Sequence, residues 1–310
     1  MNTSRLLILG VTASGKGRLA FDLARQTGAE IISIDSMKVY RRMDIGTAKP
    51  PKKALAMIKY HLIDIVEPSE PFSVGAFFEL ASEATKQIEN RNKPIIAVGG
   101  TALYIKALLY GLFEGPGADE RIRSQLQQIV KSEGLQQLHH RLETIDPTAA
   151  ERIDPNDSKR IIRALEVYEL TGKPISSFQR QFDTEQPLHN WTVIGLRREK
   201  TEESQRINAR VKKMIASGLV DEVKKLLAED KPLSPQAQCA IGYAEIIDYL
   251  NNKANLEKSI ELIKKNTRRL AKSQRTWFKT FKNINWLDIE PEESNEKLLE
   301  RTKALLSKIK

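Results

Sequence analysis

The chain has 310 residues, 40% of them hydrophobic, and a net charge of +10. That is enough for a large core with one attached module. Its single cysteine, Cys239, excludes a disulfide framework within the chain and fits a reducing cytosol. No run approaches the ~18 apolar residues of a membrane span, and the short apolar run 6–9 is too brief for a secretory signal.

In chain order, RLLILG (5–10) reads as a buried strand ending at glycine, and GKGRLAFDLARQTG (15–28) as an amphipathic helix stopped by Gly28. EIISIDS (30–36) reads as a second strand and HLIDIV (61–66) as a third. A helix over 73–92, with Ser73 as its N-cap, leads to a fourth strand, PIIAVGG (94–100), and to a helix over 101–112. Strands alternating with helices predict a parallel sheet with helices on both faces.

The pattern then changes. Residues 113–190 read as a helical, polar insertion with turn signals at GPGADE and DPNDS. WTVIGLRR (191–198) returns to the sheet, and from about 200 the chain reads as helical almost to its end. The expected organisation is a P-loop-type α/β core over 1–112, an all-helical insertion over 113–190, and a return to the core with a basic helical part over 191–310. Charge follows this division. Segment 1–112 carries 15 basic and 10 acidic residues, 113–190 carries 10 and 13, and 191–310 carries 25 and 17. Within 258–282 nine Lys or Arg face one acid, Glu261. Arg268, Lys272, Arg275 and Lys279 fall near one helical stripe beside Trp277, Phe278 and Phe281. That stripe reads as a polyanion-binding surface or as a solvated face over an aromatic core edge.

GVTASGKG (10–17) carries the strongest local signal. It matches G-x-x-x-x-G-K-[ST] except at its last position, where Gly17 stands in place of a hydroxyl residue. A glycine turn between strand and helix presents successive N–H groups, the helix N-terminus adds its positive end, and Lys16 adds a charge. A di- or triphosphate suits such a cradle. Ser14 carries a hydroxyl, though at a different place in the loop. Asp35, at the end of the second strand, lies at the sheet's carboxyl edge. It reads as a metal ligand, a general base or a turn cap.

Beyond the loop, DSMKVYRRMDIGTAKP (35–50), VGGTALYIKALLYGL (98–112), DPNDSKRIIRALEVYELTGKPIS (154–176), AIGYAEI (240–246) and RRLAKSQRTWF (268–278) occur in a selective order. With these motifs the chain resembles the tRNA dimethylallyltransferase (tRNA isopentenyltransferase) family over nearly its whole length. The resemblance implies transfer of a dimethylallyl group from dimethylallyl diphosphate to N6 of the adenosine on the 3′ side of a tRNA anticodon, with Mg2+ as cofactor. It assigns Gly10, Thr12, Ala13, Ser14, Gly15, Lys16 and Gly17 to the diphosphate. Asp35, Thr101 and Arg210 become catalytic, although Arg210 read alone is a surface helix charge. It assigns tRNA contacts to Asp35, Ser36, Met37, Lys38, Thr101, Arg123, Lys159, Arg160, Ile161, Ile162, Arg163, Gly242, Tyr243, Arg268, Lys272 and Arg275. The insertion corresponds to an anticodon stem-loop module, and a cytoplasmic monomer is expected.

The chain departs from the family pattern at Gly17, Lys38, Ala102, Cys239, Ala244 and Ser273. Several of these lie on the expected diphosphate or tRNA path, which suggests a divergent member with weaker activity or altered substrate preference. Three other readings share parts of the pattern: a small-molecule kinase, a prenyltransferase of free adenine nucleotides, and a non-catalytic tRNA-binding relative. The DIGTAKP block, the insertion and the basic C-terminal helix weigh against the first two, while Gly17 keeps the third open.

Overall fold

A computed structural model describes residues 5–113, 115–178 and 188–309. The described chain packs as two compact units, Met1–Leu109 with Pro187–Lys310, and Tyr110–Gln186. In the first unit β1 (Arg5–Gly10), α1 (Lys16–Thr27), β2 (Glu30–Ile34), α2 (Lys52–Met57) and β3 (Tyr60–His61) are followed by α3 (Val74–Asn90), β4 (Ile95–Gly99) and α4 (Ala102–Tyr110). The second unit holds α5 (Glu120–Glu133), α6 (Leu135–Ile145), α7 (Pro147–Arg152), α8 (Ser158–Thr171) and α9 (Ile175–Phe178). The chain then returns with β5 (Trp191–Arg197), α10 (Lys200–Ala216), α11 (Leu219–Leu227), α12 (Pro235–Gln238) and α13 (Tyr243–Leu250). It closes with α14 (Leu256–Phe278), β6 (Ile284–Asp288) and α15 (Asn295–Ile309).

The six strands form one parallel sheet in the order β3-β2-β4-β1-β5-β6. β2 and β4 are buried along their whole length, and β1 along all but its first residue. Continuous apolar runs of this kind belong to strands covered on both faces. Leu6, Ile8, Ile31, Ile96, Val98 and Ile194 pack against Leu19 and Leu23 of α1 and Leu298 and Leu299 of α15. All three central strands deliver their carboxyl ends to one edge, where ligands bind in open α/β sheets.

Two expectations are corrected. The third strand does not run over 61–66: it stops at His61 because Leu62 (φ 64°) and Asp64 (φ 56°) turn the backbone into the left-handed region. Val66 rejoins only through a single bridge to Tyr40. The C-terminal part is not helical throughout either. Ile284–Asp288 pairs with β5 as the edge strand β6, with Trp286 opposite Gly195. Five residues between two long helices are too few for a period-two pattern to stand out.

The second unit has its own core, formed by Leu126, Leu138, Leu142, Ile161, Leu165, Val167 and their neighbours. Among the described residues no helix is long and apolar enough to cross a membrane.

Candidate active site

The loop after β1 is shaped by its own backbone and held from outside. Ser14 N–H donates to the Val11 carbonyl at 3.2 Å, and Gly15 caps α1 at φ 98°, a conformation that favours glycine. Gly15 offers no side-chain cap, and Lys16 N–H makes only a long 3.5 Å contact to Ser14 Oγ, so the N-terminus of α1 can receive an anion. Lys16 Nζ folds back to the Val11 carbonyl at 3.1 Å. Arg198 Nε donates to the Ser14 carbonyl at 3.0 Å, and Arg206 Nε to the Ala13 carbonyl at 2.9 Å.

A buried side chain on α14 completes the mount. Gln274 Oε1 accepts from Thr12 N–H at 2.9 Å, while its Nε2 donates to the Gly100 carbonyl at 2.8 Å. A Cβ at Gly100 would lie 2.5 Å from that Nε2, so glycine is what lets the amide reach across. Gln274 therefore ties the phosphate loop to the β4–α4 turn. Sequence reasoning missed Gln274, Arg198 and Arg206. One signal was present for the first: Gln274 shares a buried stripe with Ala271 and Phe278, where a polar side chain must find partners.

Cations gather at this edge. Lys16, Lys38 and Arg210 feel one another's charge, with Asp35 as the opposing carboxylate. Burial first, then the Lys38 ammonium and Arg210, lower the Lys16 ammonium to about 7, and Asp35 only partly offsets them. Burial also lowers Lys38 and Arg210. Arg210 Nη1 donates to Thr12 Oγ1 at 3.3 Å. Asp35 Oδ1 accepts from the N–H groups of Met37 (2.9 Å) and Lys38 (3.3 Å), which leaves Oδ2 without a hydrogen bond from the described residues. Thr101 Oγ1 accepts from Ser36 N–H at 3.2 Å, joining the β4–α4 turn to the segment after Asp35. Gly17 is exposed, and a Cβ there would meet nothing within 4 Å.

Thus Gly10, Thr12, Ala13, Ser14, Gly15, Lys16, Gly17, Asp35, Ser36, Met37, Lys38, Thr101 and Arg210 lie in the loop or in the segments and side chains that meet it. Other expected contacts are placed differently. Gly242 and Tyr243 are buried, and Tyr243 Oη donates to Glu222 at 2.6 Å. The same Glu222 accepts from the N–H groups of Asp44, Ile45 and Gly46, so this pair braces the DIGTAKP block, and the buried Tyr243 side chain offers no surface of its own. Ile161 and Ile162 are likewise core residues of the second unit, because they sit on the inward face of α8. The block 159–163 divides accordingly: Lys159 and Arg160 are exposed.

Arg123 and Arg163 pair with the fully buried Glu166, at 2.9 and 2.6 Å. On α14, Arg268 donates to Asn208 Oδ1 at 2.8 Å and Arg275 pairs with the buried Glu203, so both fasten α14 to α10. Lys272 remains exposed.

No group of three or more His, Cys, Asp or Glu among the described residues could hold a metal. A divalent ion fits here as one carried mainly by substrate phosphates, the usual habit of Mg2+, with Asp35 Oδ2 as the available carboxylate oxygen.

A glycine loop between the first strand and first helix of a parallel sheet, with cations gathered beside it, defines an α/β protein of the P-loop type. The family described as IPP transferase matches residues 38–281. A tRNA dimethylallyltransferase of Acetivibrio thermocellus is 43% identical, with 97% of each chain covered. The crystal structure of a full-length tRNA isopentenylpyrophosphate transferase from Bacillus halodurans superposes with a TM-score of 0.70 at 39% identity, covering 99% of this chain and 98% of that one. A eukaryotic dimethylallyltransferase acting on tRNA gives a TM-score of 0.78 at 26% identity, covering 98% of this chain and 80% of the other. The chain belongs to the IPP transferase family.

Proposed function

We propose that this chain is a tRNA dimethylallyltransferase, and that its loop holds dimethylallyl diphosphate. The observation that carries the reading is the pairing, at one sheet edge, of a cation-ringed phosphate cradle with a carboxylate that keeps one oxygen free. The N6 amine of the target adenosine attacks C1 of the dimethylallyl group. The C1–O bond breaks, diphosphate leaves, and a proton passes from N6 to Asp35 Oδ2. Aniline-like amines are weak nucleophiles, so a positioned base assists the attack. Charge develops on the departing diphosphate, where Lys16, Arg210 and the N-terminal amides of α1 stabilise it. Thr101 positions the segment after Asp35 through Ser36. A Mg2+ ion carried by the diphosphate oxygens would supply further charge neutralisation, leaving Asp35 Oδ2 to take the proton.

The tRNA anticodon stem-loop is the acceptor in this reading. Exposed Lys159, Arg160 and Lys272 would meet phosphates, a sequence-independent attraction. Arg123 and Arg163 reach RNA in this reading only with whatever donor capacity Glu166 leaves them. The working form is a cytoplasmic monomer.

Labelled dimethylallyl diphosphate, with tRNA and AMP as competing acceptors, tests this reading. Label on tRNA is the expected result; label on AMP, or on neither, overturns it. Asp35→Asn is expected to slow transfer by about 10²–10⁴-fold while leaving pyrophosphate binding in place.

A further inference from the structure

Lys38 is the third cation at the loop, and the described residues give its ammonium no hydrogen bond or ion pair. Its backbone N–H is tied to Asp35 Oδ1 at 3.3 Å, which fixes the start of the side chain beside the cradle. There the half-buried residue feels Asp35 first and then the cations Arg210 and Lys49, and its own charge acts on Lys16. Lys49, in the same stretch of chain, shows the usual alternative. Its Nζ binds Asp44 Oδ1 at 2.6 Å, Asp64 Oδ1 at 2.5 Å and the Tyr40 carbonyl at 2.5 Å. Like charges brought together in a cleft are unfavourable until an anion joins them.

The metal side of the site is correspondingly thin. Gly17 carries no hydroxyl, Asp35 Oδ1 is taken by two N–H groups, Thr12 Oγ1 already accepts from Arg210, and Asp35 Oδ2 is the one carboxylate oxygen left, which the transfer reaction needs for its proton.

We propose that Lys38 takes over part of the charge neutralisation that a divalent ion would supply, so that this chain binds diphosphate without Mg2+. The inference rests on the reading of the loop as a diphosphate site. It makes Lys38 a determinant of metal dependence, and a direct ligand of the leaving group.

Calorimetric titration of the full chain with inorganic pyrophosphate, in EDTA and in Mg2+, tests it. The unaltered chain is expected to bind in EDTA within about tenfold of its affinity in Mg2+. Lys38→Gln should lose about 10- to 100-fold in EDTA, the size of one charged hydrogen bond, and much less in Mg2+. Lys38→Arg, which keeps the charge, should retain binding in EDTA. Thermal melting of Lys38→Gln should match or exceed that of the unaltered chain, since burial of the ammonium beside Arg210 and Lys49 outweighs the attraction of Asp35.

Binding by the unaltered chain only in Mg2+ overturns the role of Lys38 and leaves the diphosphate site standing. An equal loss for Lys38→Gln in both conditions does the same. No binding in either condition overturns both.

Discussion

The rim of the phosphate loop and the helical second unit use their cations in opposite ways. At the loop, Lys16, Lys38 and Arg210 share one opposing carboxylate, Asp35, and Lys49 adds its charge beside Lys38. In the second unit, Arg123 and Arg163 close on Glu166, whose carboxylate is fully buried and also accepts from Asp119 N–H at 2.7 Å. Burial pushes the Glu166 carboxyl up, but Arg163, the Asp119 N–H and Arg123 more than reverse this and hold it below the usual range. One region stores uncompensated charge for a ligand, and the other spends its charge on holding α5 to α8. A basic residue beside a family motif therefore says little about binding until its partner is known.

The largest effect that would overturn this contrast lies in the second unit. Glu166→Ala leaves two guanidinium groups and a backbone N–H without their acceptor. It should destabilise the helical unit by about 3 kcal/mol, the low end for breaking a buried pair because both arginines reach solvent. Urea unfolding followed by circular dichroism measures it. A loss below about 1 kcal/mol would mean that the arginines are free to bind RNA after all.

The second effect is on protons at the loop. Burial and its neighbouring cations hold Lys16 at about 7, and an anion in the cradle raises it. Diphosphate binding therefore takes up a proton above that pH, and the Lys16 contribution to affinity falls by up to about tenfold per pH unit. The unfolded chain holds this proton up to its ordinary value of 10.5, so the cost to folding is full below about pH 7 and is relieved between there and 10.5. A lysine-selective NMR titration, with and without pyrophosphate, reads the shift directly. A value close to 10.5 without pyrophosphate would end the claim of stored charge.

The smallest effect is expected at Gly17. Its Cβ would enter open space and its φ is not positive, so Gly17→Thr should change stability by only a few tenths of a kcal/mol, towards greater stability. With Lys38 sharing the work of the metal, the added hydroxyl should improve pyrophosphate affinity by no more than about tenfold, and only in Mg2+. An improvement that persists in EDTA would assign the hydroxyl to the diphosphate itself.

Much of the core was legible in advance. The apolar runs of β1, β2, β4 and β5, the helix after the loop, and Ser73 as a cap that accepts from Ala76 N–H all follow from local pattern. The phosphate loop was legible because its chemistry is contained in eight consecutive residues. β3 and β6 were not, since two residues and five residues carry too little periodicity. Tyr243, Ile161 and Ile162 were misplaced on the RNA surface because a motif reports which residues recur together and not which way they face.

Local order along this chain, from strand to loop to helix, was written in short-range pattern, because periodicity and turn chemistry act within a few residues. The partners of the charged and polar groups were settled by folding. Thr12 meets Gln274 across 262 positions, and Arg123 meets Glu166 across 43. Whether a lysine or arginine is held by a carboxylate or left for a ligand depends on such distant meetings. That is why the cradle could be read before the fold was known, while the cations free to fill it could not.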